Sequence, residues 1–372
     1  MTAPSIPSPL MHPDLAEQER TWAQRRRGVT PGRVTQLLAG LGLGFVRLSP
    51  LEHSGNVNEA LWVETDGPSL VLCLSSSHRL HKRDKTRSEV EVMRHMRHHT
   101  PVPVPEVLAF SDDAETSVLD CEFILMTKMA GIPLRSLWPS LAADERAAYA
   151  HQVKDIMDQL EAVPLPERRI GGFREGMKSG RLRGDRPDIG PFDSFAESLR
   201  QTIAWTDAAL AEREDAAERP LRERLEALLK YMQAHPELLE EPEPPALHHG
   251  DLHGGNLLVD PTSARITALL DWEHAACGPP DGDWYSLRWA AERPTLGTTL
   301  RSLGIHPPER VRRRRRLLDA IDQALCSEFY IAAWYRAETD PSARAQTCAS
   351  DRREHGERAI AQIDRLLARE RS

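Results

Sequence analysis

The stretch from Leu247 to Glu273, LHHGDLHGGNLLVDPTSARITALLDWE, constrains this chain more than any other. Asp251 and Asn256 stand five residues apart in a short polar loop. Asp271 follows twenty residues after Asp251, at the end of the apolar run ITALL. The spacing therefore sets two acids and an amide on a loop and on the end of the strand that follows it.

These residue types suit phosphoryl transfer. That reaction needs a carboxylate beside the acceptor hydroxyl, to orient it and take its proton, and hard oxygen ligands that hold Mg²⁺ against nucleotide phosphates. Asp251 is the expected base, and Asn256 and Asp271 are the expected metal ligands. Protein kinases place four residues between the catalytic Asp and the Asn, and this loop does the same. The kinase arginine is absent. His249 and Gly250 precede the aspartate and His253 follows it, which makes the two histidines further candidates.

The run HGDLHGGN followed by LLDWE resembles the aminoglycoside phosphotransferase family, which has a kinase-like fold. The resemblance implies an α+β, bilobal protein-kinase-like architecture. A small N-lobe would carry a five-stranded antiparallel sheet plus a helix, and a larger, mainly helical C-lobe would follow. It also implies ATP, with GTP as the alternative, together with Mg²⁺ and a small-molecule acceptor bearing a hydroxyl, such as an aminoglycoside-like antibiotic or a metabolite.

Length agrees with two lobes, since 372 residues exceed what one small core organises. The expected division is an N-terminal extension over 1–29, a nucleotide-binding N-lobe over 30–127 and a C-lobe with the acceptor site over 128–372. A net charge of -8 gives no sign of nucleic-acid affinity; it suits a cationic acceptor and equally serves solubility. Five scattered cysteines without a CxxC pair suit reduced thiols and a cytoplasmic setting. No run of about 18 apolar residues occurs, so neither a membrane span nor a secretory leader is expected. Oligomeric state is left open.

Along the chain, Thr30-Pro31 starts a helix with Val34, Leu37, Leu38 and Leu41 on one face. Val57–Glu64 and Ser69–Leu74 read as a hairpin around Asp66-Gly67. Ser54 and Gly55, just before it, are candidates for the turn over the nucleotide phosphates. The helix expected from about Asp84 to His98 carries Val92, Met93 and Met96 as an inward stripe, with Glu89 on the same face. The residues TKMAG, Thr127–Gly131, read as the hinge, and the resemblance assigns Met126, Lys128 and Met129 to the adenine side.

One position departs from the family pattern. The residue after Val71-Leu72 should be a Lys or Arg reaching the phosphates and pairing with Glu89, but it is Cys73. Arg79, Lys82, Arg83 and Lys85 are the nearby cations able to compensate. The resemblance also points to Asp283, or else Asp281, as an aspartate behind the catalytic loop. Downstream, Arg168–Arg186 lacks any period and reads as a loop, and the five arginines 312–316 read as a solvated helix face.

Two other readings use the same residues. In one, the missing strand cation marks a degenerate kinase fold that binds nucleotide or a partner without turnover. In the other, His248, His249, Asp251 and His253 form a zinc hydrolase site, which leaves Asn256 and Asp271 without a role.

Overall fold

The structure, a computed structural model, describes residues 29–51, 59–74, 85–179, 190–211, 219–241, 243–280, 282–287, 294–321, 324 and 343–368. Ser54, Gly55, Asp281, Arg79, Lys82 and Arg83 lie outside them, as does the expected extension up to residue 28. The described residues fall into two compact units, one within 29–191 and 243–307, the other within 192–241 and 308–368.

The first unit opens with helix α1, Pro31–Ala39, whose Thr30 side chain caps Arg33 N–H at 3.4 Å. Five antiparallel strands follow: β1 Phe45–Pro50, β2 Glu59–Thr65, β3 Leu70–Leu74, β4 Val107–Ser111 and β5 Phe123–Thr127. Their order across the sheet is β1-β2-β3-β5-β4. Strand β1 has no counterpart among the elements located from the sequence. Alternation builds the core: Leu70, Leu72 and Leu74 are buried on one face of β3, where they meet Val34 and Leu38 of α1 and Phe123 and Leu125 of β5. Val71 and Cys73 consequently lie on the other face.

Helix α2, Lys85–His99, sits between β3 and β4 in the chain and packs against β4 and β5. Val92, Met93 and Met96 are buried, as the spacing requires, and so are Lys85 and Glu89. The chain leaves β5 through Lys128–Gly131 and enters β6, Ile132–Pro133, which pairs with the Leu257–Asp260 strand. Gly131 has φ +121°, and a Cβ there would fall 2.7 Å from Val259 O, so this crossing admits only glycine without strain. The helix Ala143–Ala162 buries Tyr149, Val153, Ile156, Met157 and Leu160.

The second unit is helical. Phe195–Ala211, Arg219–Ala234, a helix over 309–321 and Ala343–Ala368 share a core that includes Leu199, Ile203, Leu225, Leu228, Leu317, Ile321 and Ile363. The arginine run is not wholly solvated, which corrects the expectation for it. Arg314 is buried, ion-paired with Glu241 and stacked 5.1 Å over Phe195, because it falls three residues from both Val311 and Leu317 on the inward stripe. Burial brings its guanidinium down to about 10.

Candidate active site

The loop that carries Asp251 is anchored by strands on both sides. Ala246–His248 pairs with Ala276–Gly278, and Leu257–Asp260 pairs with Arg265–Leu269. The sequence LHHGDLHGGNLLV therefore has short apolar strand ends and a polar turn between them.

Asp283 supports the turn from behind. Its carboxylate, 3% exposed, accepts His249 N–H on Oδ2 and Gly250 N–H on Oδ1, both at 2.9 Å. One buried side chain thereby satisfies two successive backbone donors, that of His249 being itself buried. Gly250 is required here: its φ is +79°, and a Cβ would fall 2.4 Å from His274 O.

His249 is fully buried, with its ring edge-on to Trp272 at 4.8 Å. Nδ1 accepts Asp251 N–H at 3.3 Å, so Nε2 carries the proton and donates to Leu270 O at 2.9 Å. The imidazole thus links the Asp251 turn to the chain just before Asp271. Burial holds it below its ordinary value, against the opposing pull of Asp283 and Asp251. His253 lies on the other side of the turn. Its Nδ1 accepts Gly255 N–H at 2.9 Å and its Nε2 is 3.5 Å from Asp251 Oδ2. Burial alone would raise the Asp251 carboxyl, but His253, His274 and His249 outweigh it and keep it below the usual carboxylate range.

Asn256 joins Asp251 to the chain entering Asp271. Its Nδ2 donates to Asp251 O at 3.0 Å and to Asp251 Oδ2 at 3.1 Å, while its backbone carbonyl accepts Leu270 N–H at 2.8 Å. With Nδ2 committed, Oδ1 is the atom left to accept. Asp271 follows directly, exposed and with φ +64°, a left-handed backbone that non-glycine residues adopt mainly at turns and functional sites. Among the described residues no group of three or more His, Cys, Asp or Glu side chains converges on one point as a metal cage. An Asn oxygen and an Asp carboxylate are hard oxygen donors, a type that suits Mg²⁺ better than zinc.

The remaining expected residues are spread over the sheet side. Glu89 is 8% exposed on α2. Met126 is the penultimate residue of β5, opposite Val71. Lys128 N–H donates to Ser69 O at 2.9 Å and its ammonium lies 4.7 Å from the centre of the Trp62 ring. Met129 Sδ is 3.9 Å from Thr127 Oγ1. Of the four compensating cations, Lys85 is described, and it forms a buried ion pair with Glu273, each side chain 5% exposed. Glu273, which closes the DWE motif, is a further candidate that spacing does not single out, because its partner lies on a distant segment. Glu273 also meets His274 Nε2, at 3.1 Å.

Residues 48–318 match the phosphotransferase enzyme family, APH. The chain belongs to that family. Solved structures agree on the fold. An aminoglycoside phosphotransferase APH(4)-Ia mutant in complex with ADP and hygromycin B superimposes with TM-score 0.56 at 20% identity, covering 88% of this chain and 97% of that one. The GDP complex of aminoglycoside 2′-phosphotransferase-IIIa gives TM-score 0.59 at 18% identity, over 88% and 97%. The chain therefore has the kinase-like α+β fold, with its five-stranded antiparallel sheet and its helical C-terminal part.

Mouse acyl-CoA dehydrogenase family member 10 is 26% identical over 255 residues, 66% of this chain and 20% of that protein. The chain spans about a fifth of the length of that relative. No described helix is long and apolar enough to cross a membrane.

Proposed function

We propose that this family member is an ATP-dependent phosphotransferase that moves a γ-phosphate to a hydroxyl of a small molecule. GTP is the alternative donor. The observation that carries this reading is the Asn256 amide, which ties the Asp251 carboxylate to the turn leading into Asp271. One rigid element then presents a base and two oxygen ligands together, which is what an in-line transfer with little covalent chemistry of its own demands.

In this reading Asp251 accepts the acceptor's proton. Its depressed carboxyl keeps it ionised near neutrality. Asn256 Oδ1 and Asp271 hold Mg²⁺, which neutralises charge on the transferring phosphoryl group when bound. His249 is a positioning residue behind the loop, and His253 steadies the Asp251 carboxylate from its open side. Residues 30–127 form the nucleotide lobe, with Met126, Lys128 and Met129 along the hinge, and the acceptor is bound by the part that follows. A cytoplasmic setting fits Cys73, Cys121 and Cys277, none of which is in a disulfide.

The reading is tested by incubating the protein with Mg·ATP and a panel of aminoglycosides, other hydroxyl-bearing antibiotics, amino alcohols and sugars, and following phosphate transfer. Transfer to at least one acceptor, lost in Asp251→Ala, supports it. Absence of nucleotide binding overturns it.

A further inference from the structure

We propose that Lys85 is the phosphate-contacting cation of this site, delivered from the first turn of α2 and not from strand β3. The inference rests on the phosphotransferase reading above and deepens it.

Kinase-type sites hold the nucleotide phosphates with a strand lysine that is itself held by a helix glutamate. Here β3 presents a thiol. Its register sets Cys73 opposite Ala60 on β2 and Ile124 on β5, on the face away from the leucine core. A thiol cannot donate a charge-assisted hydrogen bond to phosphate.

Lys85 is the first residue of α2 and lies one turn before Glu89, so both project on the same face of the helix. Its side chain is 5% exposed, although lysine ordinarily reaches water when it has no purpose inside. Its ammonium is paired with Glu273, two residues beyond Asp271, and α2 packs against the short turn Trp272–His274 that carries Glu273. The cation is thus fastened to the same turn as the proposed metal ligand. Glu89, Asp271 and Glu273 all act on it electrostatically and, against the pull of burial, keep it charged.

Glu273 takes the part of the helix glutamate: Oε2 meets Lys85, while Oε1 meets His274. An ammonium has three donors, which lets it keep Glu273 and reach a phosphate oxygen at once.

The test is nucleotide affinity by calorimetry on the full chain, using Mg·ATP, Mg·GTP and, as a phosphate-free probe, adenosine. Lys85→Met should weaken Mg·ATP binding by roughly tenfold or more while leaving adenosine binding within about twofold, as expected when a charged donor to phosphate is lost. Adding Cys73→Lys to Lys85→Met should recover most of that loss by restoring a strand cation. Because Lys85→Met leaves Glu273 without its lysine, the charge-matched double variant Lys85→Met with Glu273→Gln is measured alongside, and should show the same selective loss. Wild-type Mg·ATP affinity in either Lys85 variant overturns the proposal, and so does an equal loss for adenosine and ATP, which would mark a purely structural lysine. If the wild-type protein binds neither Mg·ATP nor Mg·GTP, the phosphotransferase reading itself fails and the assignment falls with it. That outcome differs from wild-type binding that survives the loss of Lys85.

Discussion

The side-chain amide of Asn256 donates to the Asp251 carboxylate at 3.1 Å and to the Asp251 carbonyl at 3.0 Å, and so orients both the acid and its own free oxygen. Asn256→Ala removes the tie and the proposed metal ligand together. The variant should need roughly tenfold or more Mg²⁺ for half-maximal nucleotide binding, since metal sites lose about that much when a supporting group goes. A magnesium titration monitored by calorimetry checks this, and an unchanged Mg²⁺ requirement would remove Asn256 from the metal site.

Asp283 accepts the buried N–H of His249 and the N–H of Gly250 in the turn that carries Asp251. Asp283→Ala leaves the buried His249 N–H without an acceptor, at a cost of about 1–3 kcal/mol, and removes the acceptor of Gly250 N–H, which water can reach. Denaturant unfolding should show a lower midpoint with an unchanged slope. A stability within error of wild type would mean that water replaces the carboxylate.

Gly250→Ala forces a Cβ against His274 O at a backbone angle of +79°. A strained non-glycine residue costs of order 1–3 kcal/mol, and the distortion falls next to Asp251. Lower thermal stability with a proportionally larger loss of transfer is expected. An alanine variant with full stability and full activity would show that the turn does not need glycine.

His249 is held neutral by burial, more strongly than Asp283 and Asp251 can oppose. Its folded pKa is depressed, so its contribution to stability is present above the unfolded value of about 6.5 and is lost as pH falls through the folded one. Unfolding free energy should therefore decline from about pH 7 toward about pH 5, at up to about 1.4 kcal/mol per pH unit for each such histidine. Desolvation lowers half-buried His248 in the same direction, so some slope persists without His249. His249→Gln, which keeps a donor toward Leu270 O, should flatten the decline. Equal slopes in the two proteins would contradict this assignment.

The closeness of Asp251, Asn256 and the chain entering Asp271 was legible because all three lie at fixed spacing within one short segment, and spacing is what a sequence displays. The same holds for α2, where Val92, Met93, Met96 and Glu89 recur at helical intervals and are all buried. Residues whose meaning depends on distant partners were not legible. In the sequence Lys85 is one of four equivalent cations, and its ion pair with Glu273, on a remote turn, appears only in the fold. Arg314 looked like its four arginine neighbours, and only the inward stripe of Val311 and Leu317 distinguishes it. The helix Phe195–Ala211 does carry a periodic signal in Phe195, Leu199 and Ile203, which the adjacent Gly- and Arg-rich segment obscured.

The central claim is that Asp251 serves as base in a metal-assisted phosphoryl transfer. The most direct measurement compares phosphate transfer from Mg·ATP by wild-type protein and Asp251→Ala on whichever acceptor the panel identifies, with nucleotide affinity determined in parallel. Transfer lowered by roughly 10²- to 10⁴-fold with Mg·ATP affinity little changed is the predicted result. Transfer by Asp251→Ala at the wild-type rate would contradict it.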